Sequence, residues 1–291
     1  MSFLHCQPVE TSVASTSRAK SAAQGRNRPK TFGGGWYAAH VFDIREPEPP
    51  PTELEPAPPT VADAPAKAGR ATALAEIIVC SGFPTQLAVA ATMAAFGYSE
   101  LSLGYVVVLS LADTALVLTL ILLFLRSHGE RPGELFLGGR PIGREILAGL
   151  PLIFGALGLA FFAIVTVRWI APWLEPAEPN PLQALIDTRQ AALLFALVVV
   201  TAGGFREELQ RAFVLCRFDH GLGGPKVGVV VGSLAFGAGH LLQGADAAIT
   251  TVLLGAFWAI TYLRRGSVVA PIVSHSGFNL LQLAQMVVGL A

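Results

Sequence analysis

The sequence predicts an all-α membrane protein, a polytopic bundle of about seven to eight transmembrane helices behind a disordered amino-terminal tail. Two observations predict this fold. Of the 291 residues, 53% are hydrophobic and only 14% are charged, and long apolar runs recur, each near the roughly 20 residues that a helix needs to cross about 30 Å of hydrocarbon. The runs are continuously apolar, as in LADTALVLTLILLFL at residues 111–125, whereas the strands of a transmembrane barrel alternate between apolar and polar residues.

The composition also excludes several classes of protein. The 20 basic residues balance the 20 acidic ones, so no nucleic-acid partner is expected. The three cysteines lie at positions 6, 80 and 216 and have no CxxC or CxxH spacing. A disulfide scaffold and a structural zinc module are therefore not expected.

Residues 1–70 form the predicted cytoplasmic tail, and residues 71–291 the predicted membrane domain. Residues 43–70 hold eight of the 20 prolines, so they cannot keep the hydrogen bonds of a helix or a ladder and are interpreted as an extended linker. Residues 1–34 are rich in Ser, Arg and Lys and lack the apolar core of a secretory signal peptide. A plain disordered tail and an organelle transit peptide share this composition, and both interpretations stay open.

Seven membrane spans are predicted after the tail. Basic residues lie before the first span and in every second loop that follows. Because Lys and Arg are enriched in cytoplasmic loops, this pattern predicts that the amino terminus is cytoplasmic and the carboxyl terminus lies outside. The predicted spans are residues 73–96, 103–125, 145–168, 190–216, 225–243, 246–263 and 267–290.

Ionisable residues within the spans are the first candidates for function, because each is unfavourable in lipid unless it meets a partner or a wet cavity. The fourth span carries Arg206, Glu207, Glu208 and Arg211 within six residues. Glu207 and Arg211 share one helical face, while Glu208 points about 100° away and can reach Arg211 at i+3. One carboxylate can thus pair with an arginine while the other is available for catalysis. The alternative is a solvated surface helix, with the span ending near residues 203–204.

Two further polar pairs lie in the fifth and seventh spans. Phe236 and His240 in FGAGH, and His275 and Asn279 in HSGFN, are each four residues apart and so lie on one helical face. Taken singly, such a His or Asn is often only an interhelical hydrogen bond. At about 1.5 Å per residue, Glu207, His240 and His275 lie roughly 16, 22 and 12 Å from the cytoplasmic ends of their spans. These depths permit a common site without requiring one.

These three segments resemble the CPBP family of intramembrane glutamic endopeptidases, which includes the CAAX prenyl proteases and the bacterial Abi proteins linked with bacteriocin self-immunity. The family's pattern is EExxxR, FxxxH and HxxxN, each on its own membrane helix. FGAGH and HSGFN match in full, and the resemblance covers about residues 190–285. The first motif departs from the pattern, because the arginine of EELQR comes one residue early. Aligned on Arg211, Arg206 stands in place of the first Glu and Glu207 in place of the second. Aligned on the glutamates, Glu207 is the first Glu and Arg211 is out of register.

The resemblance implies an endopeptidase of a bacterial inner membrane, which hydrolyses peptide or protein substrates at the bilayer with a glutamate-activated water. CAAX-type processing is one variant. Glu207 is favoured as the base because it shares a face with Arg211, and Glu208 is the rival. No cofactor is implied. The residues that the resemblance places in the catalytic site are Glu207, Glu208, Arg211, His240, His275 and Asn279.

The other roles follow from the needs of peptide hydrolysis, which requires a base, donors for the oxyanion and a proton for the leaving amine. In the family pattern His240 would position or activate the water, and His275 and Asn279 would donate to the oxyanion. Outside the motifs, Glu76 and Asp113 are either cavity residues or buried hydrogen-bond partners, and the second interpretation is favoured.

Other functions stay open. Glu207, His240 and His275 would also make a His2Glu zinc site, although the HExxH helix of zinc proteases is absent. A transporter that uses the intramembrane charges as a pathway is a second alternative. A noncatalytic immunity or scaffolding role is a third.

Overall fold

The computed structural model describes residues 69–175 and 181–289, and the described residues form helices and no strands. The predicted all-α fold is therefore confirmed. The predicted tail and its Pro-rich linker lie outside the described residues, except for residues 69 and 70. The α-helices of the described part are α1 (Arg70–Val79), α2 (Phe83–Ala95), α3 (Leu103–Ser127), α4 (Pro132–Leu137), α5 (Ile142–Ile170), α6 (Arg189–Val198), α7 (Glu207–Gly221), α8 (Pro225–Ala238), α9 (Ala245–Arg265) and α10 (Val269–Gly289).

Three of these helices, α3, α5 and α9, are long and apolar enough to cross a membrane. Helices α1 and α2 pass the same test as a pair, so the described residues hold three candidate spans, or four if the bent pair is one span. The other three predicted spans are helical but do not pass. Helix α8 has only 14 residues, the fourth span is interrupted and charged, and α10 carries a histidine, an asparagine and two glutamines. These are the three segments that bear the motifs.

The first predicted span, residues 73–96, is not one helix, and that expectation is corrected. Helix α1 ends at Val79 and α2 begins at Phe83, with a bend of 40° between them. Gly82 caps α2 with a φ of 87°, a left-handed conformation that only glycine adopts without strain. The bend also brings the backbone close to the fourth span, since a Cβ on Gly82 would lie 2.8 Å from Nη1 of Arg206.

The connections that the sequence predicts to be basic meet at one end of the bundle. The fully buried Arg217 at the end of α7 donates from Nε to Glu76 of α1 at 2.5 Å and from Nη1 to Glu130, after α3, at 2.8 Å. Glu76 is thus a buried partner, as expected. At the same end, Arg265 of α9 donates to Glu145 of α5 at 2.6 Å. That this end faces the cytoplasm stays a prediction.

Glycines allow the helices that carry the motifs to pack closely. Gly149 of α5 lies against α10, where an added Cβ would be 2.9 Å from the carbonyl oxygen of Ala270. Gly237 of α8 lies against α9, where a Cβ would be 2.7 Å from the carbonyl oxygen of Ala248. Because lipid gives no hydrophobic drive between helices, such close van der Waals packing holds a membrane bundle together. The glycines therefore let α8 pack closely on α9 and α10 on α5.

Candidate active site

The fourth predicted span is a single helical column that widens before the two glutamates. Between α6 and α7, Val199–Arg206 is a π-helix, a form that is rare and occurs frequently at functional sites. Gly204 of this segment lies against α10, where a Cβ would be 2.9 Å from Cβ of Ser276 and 3.1 Å from its Cα. The close approach delivers Glu207 and Glu208, at the start of α7, to the helix that carries His275.

Glu208 is the buried and paired carboxylate of the two. It is 1% exposed, its Oε1 accepts from Nη1 of Arg211 at 2.6 Å, and the same oxygen lies 2.8 Å from Nδ1 of His275. Its Oε2 is equally buried and has no hydrogen-bond partner among the described residues. Glu208 therefore joins α7 to α10.

Glu207 is the carboxylate that faces open space. Its side chain is 17% exposed, and its oxygens lie 3.5 Å from Nη2 of Arg206 and 3.8 Å from Nε2 of His275. Glu207 shares a helical face with Arg211 but does not pair with it, because Arg211 reaches Glu208 at i+3. The guanidinium of Arg211 lies 4.6 Å from the centre of the Phe236 ring, and this contact holds it on the side of the helix where Glu208 is buried.

His240 lies just beyond the end of α8. The predicted fifth span, residues 225–243, is therefore shorter than expected: α8 stops at Ala238, and Leu241–Gln243 is a separate 3-10 turn. Nδ1 of His240 lies 2.8 Å from the carbonyl oxygen of Phe236. Because a carbonyl oxygen only accepts, Nδ1 carries the hydrogen and Nε2 of the neutral ring is left as an acceptor.

Glu207 and His240 line the same cavity of about 590 Å³. Helices α1, α2, α7 and α8 form its wall, with polar side chains such as Gln86 and Gln210 on one part and apolar ones such as Val214 and Val231 on another. The fourth and fifth spans thus meet at the cavity, and His275 of the seventh span reaches it through its contact with Glu207. Asn279 is not part of the lining. Its amide donates to the carbonyl oxygen of Val199 at 3.4 Å.

Two contacts at the site involve residues that the motifs do not contain. The Trp258 ring of α9 stacks on His275, with ring centres 3.7 Å apart and an interplanar angle of 16°. Arg206 lines the cavity and its Nη1 lies 3.3 Å from Oδ2 of Asp113 on α3. Asp113 is therefore a buried partner, as expected. The position of Asp113 in an apolar span was a signal that it needs a cationic partner. Nothing in the sequence distinguishes Trp258, which contacts a site residue, from a tryptophan in ordinary packing.

The zinc ligands of the alternative function are not gathered in this structure. Among the described residues, the one group of three His, Cys, Asp or Glu residues whose ligand atoms all lie within 4.8 Å of one another is Glu130, Cys216 and His220. That group is not part of the cavity lining.

A comparison with known protein families shows which family the residues of this site resemble. Residues 189–281 match the family model described as Type II CAAX prenyl endopeptidase Rce1-like. This stretch is similar to the CAAX proteases. The matched residues run from the start of α6 into α10 and so include all six residues that the sequence places in the catalytic site. No curated protein and no solved structure matches the chain.

The match of residues 189–281 to this family model supports a peptidase, and the family implies membrane-associated peptide substrates. Together with the long apolar helices, it supports an integral membrane protein. In the site geometry, Arg206, Glu207, Arg211 and His240 line one cavity, and His275 and Glu208 lie directly behind Glu207.

Proposed function

We propose that this protein is an intramembrane glutamic endopeptidase in which Glu207 is the base that activates water. The observation that carries this proposal is the division of labour between two neighbouring carboxylates. Glu207 faces the cavity with only long contacts to Arg206 and His275, whereas Glu208 is buried and bound to Arg211 and His275. A general base needs access to water and substrate, and only Glu207 has it.

The reaction begins with a water molecule between Glu207 and the scissile carbonyl. Glu207 takes a proton from the water while the water oxygen bonds to the carbonyl carbon, and the π electron pair moves onto the carbonyl oxygen. The electron pair on the oxyanion then re-forms the carbonyl while the C–N bond breaks, the C–N pair goes to nitrogen, and Glu207 returns the proton to the leaving amine. The products are a carboxylic acid and an amine, and Glu207 is again a carboxylate.

His240 and His275 have separate roles in this proposal. His240 lines the cavity with Nε2 as an acceptor, so it can take a hydrogen bond from the attacking water and orient it. His275 lies between the two carboxylates, so it positions Glu207. Glu208 binds Nδ1 of His275 and is itself bound by Arg211.

The substrate and the setting follow the family. We propose a peptide or protein substrate at the bilayer, with CAAX-type processing as the variant that the family description suggests. The location we propose is a bacterial inner membrane. We propose a cytoplasmic amino terminus, because the basic loops share one end of the bundle.

Cleavage of a peptide library by purified protein in detergent tests the proposal. We expect the unaltered protein to cleave, and Glu207→Gln to lose about 10²–10⁴-fold of the rate, the usual contribution of a general base. Glu134→Gln is the matched control, because Glu134 is half exposed on α4 and pairs with the exposed Arg131. Activity that a chelator abolishes and zinc restores would favour the metal alternative. No cleavage by the unaltered protein would contradict the proposal.

A further inference from the structure

A buried guanidinium with unused donors lies in the cavity wall. Arg206 is only 7% exposed, yet its Nη1 contacts to Asp113 and Gln210 are both 3.3 Å long. Its Nε is buried and has no hydrogen-bond partner among the described residues. Charge-assisted N–H···O bonds are usually about 2.7–2.9 Å long, and buried donors are normally satisfied.

Other arginines of the bundle are bound more tightly. Arg211 lies 2.6 Å from Glu208, Arg265 lies 2.6 Å from Glu145, and the Nε of Arg168 lies 2.9 Å from Asp246. Arg206 therefore differs from these structural ion pairs. It keeps the capacity to donate to an oxygen that enters the cavity.

The position of Arg206 decides which oxygen that is. Its Nη2 lies 3.5 Å from a carboxylate oxygen of Glu207, and both side chains line the cavity. Water held by Glu207 attacks a carbonyl within about 3–3.5 Å, so the oxygen of that carbonyl comes close to the guanidinium. A neutral His275 that donates from Nδ1 to Glu208 has no Nε2 hydrogen to offer, and Asn279, whose amide donates to Val199, does not line the cavity.

Charge balance favours a transition-state oxyanion over a substrate carboxylate. Asp113 and Glu207 already place two negative charges beside Arg206, and a bound carboxylate would add a third. The oxyanion adds none, because Glu207 loses its charge in the same step in which the carbonyl oxygen gains one. A cation fixed beside both atoms stabilises the charge as it moves.

Asp113 holds the guanidinium in this place. Its oxygens accept from the hydroxyl of Thr85 and from Nε2 of Gln86, the latter at 3.3 Å, so α2 fixes the carboxylate. Gly82 leaves room for Nη1, which a Cβ would approach to 2.8 Å. The bend between α1 and α2 thus makes one wall of the arginine site.

We infer that Arg206 is a catalytic residue that donates to the oxyanion formed when Glu207-activated water attacks the scissile carbonyl, with Asp113 as its positioning residue. The inference rests on the proposed endopeptidase function. It assigns the oxyanion contact to a residue outside the EE, FxxxH and HxxxN motifs.

Steady-state cleavage of one peptide by Arg206→Gln, Arg206→Lys, Asp113→Asn and the double variant Asp113→Asn/Arg206→Gln tests it. We expect Arg206→Gln to lower kcat by about 10²–10³-fold, the usual effect of removing one oxyanion donor, with little change in KM. Arg206→Lys should recover part of kcat, because it keeps the charge but not the fork of donors. The double variant removes both charges of the buried pair, so its melting temperature should return towards that of the unaltered protein while kcat stays low.

Three results would overturn the inference. Arg206→Gln could retain kcat, or the double variant could regain it, which would make the pair structural. The loss could instead fall on KM and disappear when the peptide ends in an amide, which would make Arg206 a site for a terminal carboxylate.

The same assay includes the unaltered protein and Glu207→Gln. If the unaltered protein does not cleave, or Glu207→Gln still does, the endopeptidase proposal fails and this inference fails with it. If both behave as expected, a loss of the Arg206 effect falls on this inference alone.

Discussion

Nδ1 of His275 lies 2.8 Å from Oε1 of Glu208, although 67 residues of chain separate them. An ionised carboxylate only accepts, so Nδ1 carries the hydrogen and Nε2 faces Glu207 at 3.8 Å. One imidazole thus contacts both members of the glutamate pair with different atoms. This contact separates the structural carboxylate from the one that faces the cavity.

The two glutamates should differ in what their loss does to stability. Glu208→Gln removes the partner of the mostly buried Arg211, and breaking such a pair from one side lowers the free energy of unfolding by about 3–5 kcal/mol. Glu207→Gln breaks only contacts of 3.5 and 3.8 Å, so we expect a change of less than about 1 kcal/mol. Thermal unfolding in detergent measures both. Equal destabilisation by the two variants would contradict the assignment.

Trp258 should act on activity through His275. Trp258→Leu removes the ring that stacks on the imidazole at 3.7 Å, and we expect kcat to fall about tenfold, because small displacements of a catalytic group are expensive. Trp258→Phe keeps an aromatic face and should lose less. The check is a double-mutant cycle with His275→Ala, measured below the melting temperature of every variant. If Trp258→Leu lowers kcat as much without His275 as with it, the stacking has no such role.

Gly204 should not tolerate a side chain. The Cβ of Gly204→Ala would lie 2.9 and 3.1 Å from Cβ and Cα of Ser276, so α10 must move away, and overpacking of this kind destabilises by about 1–3 kcal/mol. Activity should fall too, because the same movement separates His275 from the glutamates. Gly158→Ala in α5 is the matched control, since a Cβ there meets nothing within 4 Å. Melting temperature and cleavage rate, compared between the two variants, decide the point; similar values would contradict it.

Arg217 should stabilise the protein without acting in catalysis. Arg217→Met leaves Glu76 and Glu130 without their shared buried cation, and we expect a loss of about 3–5 kcal/mol in the free energy of unfolding. Arg131→Met, which breaks an exposed pair with Glu134, should lose no more than about 1 kcal/mol. Because Arg217 does not line the cavity, the cleavage rate per folded molecule should stay unchanged. A fall in that rate at low temperature would contradict a purely structural role.

The sequence by itself determined the fold class and the helices that carry the chemistry. Continuous apolar runs exclude alternating strands, and a charged or amide residue inside such a run marks a helix that must find a partner or a cavity. The spacing of FGAGH and HSGFN and the pair Glu207 and Glu208 followed from the same property, since helical periodicity fixes which residues share a face. These are local quantities, and they need no knowledge of neighbouring helices.

The tertiary structure decided which partner each of these residues has. The break at Gly82, the ion pair of Arg206 with Asp113 and the stacking of Trp258 on His275 all join segments that are remote in sequence. Periodicity gives the direction of a side chain around its own helix but not the face of another helix that it meets. For that reason the face shared by Glu207 and Arg211 did not predict their partners, and packing placed Glu208 against Arg211 and left Glu207 at the cavity.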